Sequence, residues 1–149
     1  MREAHKTKQE RHFQAFMRIL IVAFLGAGIL LVAKPIWTLS YIDRIGHSIF
    51  GWTGPRFEMA ADPFWLSFVA AFMLMLVYCA YKAQANHLRT IGYARVILLG
   101  KFVTALGFTL SFILVQESFV YLVSAIIDGL IFIITFALFA SAAKSRPSY

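Results

Sequence analysis

The chain has 149 residues, of which 60% are hydrophobic and only 14% are charged, and it carries a net charge of +7. A composition this apolar lies outside the range of soluble globular domains and is typical of membrane proteins. The length fits a single domain. The basic residues are dispersed and belong to no nucleic-acid-binding motif, so the positive charge does not indicate a nucleic-acid partner.

Four apolar runs explain the composition, at residues 19–37, 63–81, 96–115 and 119–142. Each run is about as long as the ~20 residues that a helix needs to cross a bilayer. Together they fill more than half of the chain and leave too little polar sequence to cover them in water. We therefore predict an all-α fold, a four-helix transmembrane bundle that forms one domain (1–149) in a lipid bilayer.

The basic residues also predict the orientation. Ten Lys and Arg residues lie in the tail 1–18, in the link between the second and third spans, and after the fourth span, against three on the other side. By the positive-inside rule both termini are predicted to be cytoplasmic. A short four-span chain with this bias fits a bacterial inner (plasma) membrane.

The outer loop, residues 38–62, has a pattern of its own. Large apolar residues begin at the end of the first span and recur every four residues: Trp37, Tyr41, Ile45 and Ile49. The stripe predicts an amphipathic helix in the membrane interface, with Trp52 as a further contact, or equally a docking surface for another subunit. Asp62 followed by Pro63 predicts the start of the second span.

Two charges lie inside the apolar runs, Lys101 in the third and Asp128 in the fourth. A charge at such depth costs from ~3 kcal/mol to several times that, so it needs a partner or a function. The two residues differ in predicted depth by ~7.5 Å, at ~1.5 Å per residue, which an extended lysine stem mostly covers. The alternative for Lys101 is that it extends to the headgroups.

Hydroxyl residues share the helix faces that carry the two charges. The third run contributes Thr104 and Ser111, and the fourth contributes Tyr121, Ser124 and Thr135. Only three polar residues link the two runs, so these faces are expected to meet or to line a shared interior. Three roles remain open for the charges: a structural pair, a working pair in which Asp128 binds a proton or cation, and a contact between subunits.

The sequence contains no Ser/His/Asp or Cys/His arrangement, zinc motif, phosphate-binding loop or pair of carboxylates. No cofactor and no metal site are expected, and Cys79 is interpreted as a packing residue. The favoured function is a non-catalytic subunit or assembly factor of a larger membrane complex, in contact with other membrane subunits or with copies of itself. The alternative is a small homo-oligomeric transporter or channel in which Asp128 carries a proton or cation; a membrane enzyme ranks third.

Overall fold

The structure, a computed structural model, describes residues 7–58, 64–85 and 91–144. These residues form five helices: α1 (Lys8–Ala33), α2 (Pro35–Ile49), α3 (Phe64–Ala85), α4 (Ile91–Leu114) and α5 (Phe119–Lys144). All but α2 are long and apolar enough to cross a membrane. The prediction of an all-α, four-helix transmembrane bundle is confirmed, and the chain is a multi-pass membrane protein.

The first helix begins earlier and ends earlier than the apolar run that predicted it. It begins at Lys8 because Thr7 and Glu10 form a capping box, in which each side chain accepts a hydrogen bond from the other residue's backbone N–H. It ends at Ala33, since Lys34 leaves the helical region with φ −144° and ψ 60°. Pro35 then starts α2, because a proline at the first helical position has no N–H to satisfy.

The predicted first span therefore loses Trp37 to the next helix, and much of the predicted tail becomes helical. The predicted start of the second span at Asp62 and Pro63 lies outside the described residues. The interfacial helix expected in the outer loop corresponds to α2, which begins within the predicted span and ends at Ile49.

The four long helices form a ring in the order α1, α3, α4, α5, with α1 packed along α3 and α4 packed along α5. One face of α1 supplies four large core side chains, Phe13, Met17, Leu20 and Phe24. Small residues of α3 and α4 face them, including Cys79 and Ala80, and allow close packing of the helices. The outer surfaces of the helices expose large aliphatic side chains, as lipid-facing surfaces do.

Helix α2 is fixed to the start of α5. Gly46 lies so close to the Phe119 ring that an added Cβ would overlap it. The same ring packs against Phe50 and Trp52, with centroid distances of 5.5 and 5.8 Å. Residues 50–58, here called the cap segment, therefore cover the turn between α4 and α5.

Candidate functional site

An ion pair is buried between α4 and α5. The Nζ atom of Lys101 lies 2.6 Å from Oδ1 of Asp128. The two residues are only 3% and 8% exposed. Both belong to one chain and both lie within membrane-spanning helices. The structure thus brings the two predicted charges into direct contact, and no second chain is needed to neutralise either of them.

Two further side chains complete the surroundings of this intramembrane ion pair. The Thr104 hydroxyl donates to Oδ2 of Asp128, so each carboxylate oxygen has a donor. The Lys101 ammonium also lies 4.8 Å from the centroid of the Phe24 ring, a cation–π geometry. Phe24 comes from α1, so the site joins three of the four spanning helices.

The other predicted members of the polar face form no hydrogen bond with the ion pair within the described residues. Ser111 and Ser124 are half-buried, and no hydrogen bond within the described residues joins either of them to Asp128. The Tyr121 ring packs edge-on against Phe57 of the cap segment, 5.6 Å between centroids. Thr135 is fully buried, and its hydroxyl has no hydrogen-bond partner among the described residues.

The apolar stripe predicted around α2 divides into two parts. The Trp37 and Tyr41 rings stack at 5.4 Å with an interplanar angle of 8°, and both are at least half exposed. Ile49 is also exposed, while Ile45 is half-buried. Trp52 instead turns inward onto the α4–α5 turn. The outward part, Trp37, Tyr41 and Ile49, is here called the α2 stripe.

A polar clamp holds the cap segment to α2, and sequence reasoning missed it. The buried Asp43 accepts a hydrogen bond from the Phe57 N–H through Oδ1, at 3.2 Å. His47 lies beside it, with Nδ1 2.9 Å from the Asp43 carbonyl oxygen and Nε2 3.1 Å from the Gly54 carbonyl oxygen. The signal in the sequence was the four-residue spacing of Asp43 and His47 off the apolar stripe.

Both His47 nitrogens face oxygens that can only accept hydrogen bonds. A neutral imidazole has one N–H and can satisfy only one of them, whereas the doubly protonated ring donates to both. The Asp43 carboxylate is also close to the ring, with Oδ2 3.6 Å from Nδ1. All these contacts lie within one chain. The clamp therefore holds the cap segment against α2.

The described residues contain no group of three or more His, Cys, Asp or Glu side chains that could hold a metal ion. No protein-family model matches the chain, and no curated protein or solved structure is detectably similar to it. The fold and the site define a class, a helical integral membrane protein in which Lys101 and Asp128 form a buried ion pair between two spanning helices.

Proposed function

We propose that this protein is a non-catalytic subunit, or an assembly and anchor factor, of a larger complex in a bacterial inner membrane. One observation carries the proposal: Lys101 and Asp128, which lie within membrane-spanning helices, are bonded to each other. Both oxygens of Asp128 have donors from the same chain, and Lys101 lies between that carboxylate and the Phe24 ring. A pair of this kind fixes the register of α4 against α5.

The α2 stripe supports contact with a partner. Stacked Trp and Tyr rings are the side chains that most often dominate binding energy at protein interfaces. The stripe is also held in place before any partner arrives, because Gly46 and the His47 clamp fix α2 to the rest of the fold. Preorganisation of this kind lowers the entropy lost on binding.

The charge distribution supports an orientation with both termini in the cytoplasm. Arg18 of α1 donates through Nε to Gln84 of α3 at 3.3 Å, which places the basic start of α1 beside the end of α3. Lys82 and Lys144 lie in the last turns of α3 and α5. All these basic residues collect at one end of the bundle, the end that the positive-inside rule assigns to the cytoplasm.

The test is purification of the tagged full chain in a gentle detergent, with mass spectrometry of the proteins that accompany it. We expect unrelated membrane subunits in stoichiometric amounts, and their loss when Trp37 and Tyr41 are both changed to Ala. The matched control changes Phe132 and Phe136 to Ala, since these rings also stack, at 6.2 Å, but on α5. A wild-type chain that purifies alone, with no partner lost on its deletion from cells, contradicts the proposal.

The second candidate, a small homo-oligomeric transporter or channel for protons or cations, rests on Thr135. Its hydroxyl is fully buried, lies two helical turns beyond Asp128 on the same face, and has no partner among the described residues. A polar group left free at such depth could serve a pathway that passes Asp128. Proton or cation flux in reconstituted vesicles that survives Asp128→Asn excludes this version.

A further inference from the structure

A groove of about 290 Å³ runs along the outer surface of the bundle between α1 and α3. Its walls are Leu25, Ile29 and Val32 of α1 and Ala70 and Leu74 of α3. Gly28 forms part of the floor, where a Cβ would lie 3.1 Å from the Met73 Cβ. Every side chain that lines the groove is apolar, so a ligand there would have to be a hydrocarbon.

The length of the groove matches one leaflet of a membrane. On α1 it extends from Phe24 to Ala33, which is ~14 Å at ~1.5 Å per residue. Half of the ~30 Å hydrocarbon layer of a bilayer is ~15 Å. A partner helix that crosses the membrane would need a groove of twice this length, whereas a single acyl chain needs a groove of about this length.

The end of the groove near α2 is positively charged. Lys34 is exposed and directly follows Ala33, the last lining residue of α1. Lys34 takes part in none of the ion pairs formed among the described residues.

From these features we infer that the groove holds one acyl chain of an anionic phospholipid, whose phosphate lies at Lys34. The apolar walls take the chain and Lys34 selects the headgroup. The inference does not depend on the proposed function, because the groove lies between α1 and α3 and shares no lining residue with the α2 stripe. Binding of a second copy of the chain in the groove is the competing outcome.

The test is native mass spectrometry of the delipidated full chain in detergent, with phosphatidylglycerol and phosphatidylcholine of identical acyl chains added in equal amounts. We expect the wild type to retain one phosphatidylglycerol with about fivefold preference, since a basic residue near an anionic headgroup is worth about 1 kcal/mol. Lys34→Gln should equalise the two lipids. Arg44→Gln, which removes another exposed basic residue, is the control and should preserve the preference.

A second variant tests the groove itself. Ala70→Phe should fill the groove and abolish retention of both lipids, while Ala137→Phe, at an exposed position of α5, should leave retention intact. Circular dichroism checks that both variants fold. If Ala70→Phe does not fold, the comparison of Lys34→Gln with the wild type still decides the inference. The inference is overturned if the wild type shows no headgroup preference, if Ala137→Phe lowers retention equally, or if Ala70→Phe abolishes a dimer instead of a lipid.

Discussion

Removing only one charge of the Lys101–Asp128 pair should destabilise the fold much more than removing both charges. At an effective dielectric constant of ~20, unit charges placed 2.6 Å apart attract by about 6 kcal/mol, and the loss of hydration offsets most of this. Lys101→Met or Asp128→Asn alone leaves an unpaired buried charge and is expected to cost about 3–5 kcal/mol. The double variant leaves none and should lie within about 1 kcal/mol of the wild type.

The measurement is reversible unfolding in mixed micelles with a rising fraction of sodium dodecyl sulfate, followed by circular dichroism. The double-mutant cycle should give a coupling free energy of at least about 5 kcal/mol. Thr109→Val is the control, because this exposed hydroxyl donates only to the Ala105 carbonyl of its own helix, at 2.8 Å. Its effect should remain within about 0.5 kcal/mol.

The size of the coupling decides between the roles of the pair. Hydrogen bonds between membrane helices average about 0.6 kcal/mol in such cycles. A coupling at that level would refute the reasoning, because it would show that neither charge depends on the other in the folded chain. Asp128 would then be free for a subunit contact or for a transported ion.

Three other substitutions test separate contacts. Gly46→Ala should lower the free energy of unfolding by about 1–3 kcal/mol, because its Cβ would overlap the Phe119 ring, whereas Gly92→Ala, with nothing within 4 Å, should not. His47→Phe removes both ring nitrogens of the clamp and should speed hydrogen exchange of the backbone amides between residues 52 and 57 about tenfold, and unchanged exchange would show that the clamp does not hold the cap segment. Thr135→Val should leave stability equal or raise it by about 1 kcal/mol; a loss would reveal a partner for the hydroxyl.

Hydrophobicity was enough to predict the four spanning helices, because the thickness of a bilayer sets both their length and their composition. It could not place the end of the first span, since the apolar run continues through Lys34 and Pro35 while the backbone turns there. The break depends on a proline that cannot continue an existing hydrogen-bond ladder. Reading Pro35 as a first helical residue would have ended the span at the observed position.

Contacts between distant segments were harder to predict than the helices. The turn between α4 and α5 is too short for those helices to be anything but neighbours, so the depths of Lys101 and Asp128 could be compared from sequence. No such constraint connects His47 to Gly54 or Trp52 to the start of α5. These contacts depend on how the cap segment folds back, which periodicity does not report.

The ion pair and the apolar groove share one wall, the Phe24 ring. It lies 4.8 Å from the Lys101 ammonium and also closes the deep end of the groove. Because the ring separates the charge from the hydrocarbon outside, a chain in the groove would contact carbon and never the ammonium. The arrangement explains how one helix bundle can hold a buried charge pair and a hydrocarbon site next to each other. It also means that Lys34→Gln and Ala70→Phe should leave the Lys101–Asp128 coupling unchanged, since neither variant alters the ring between the two sites.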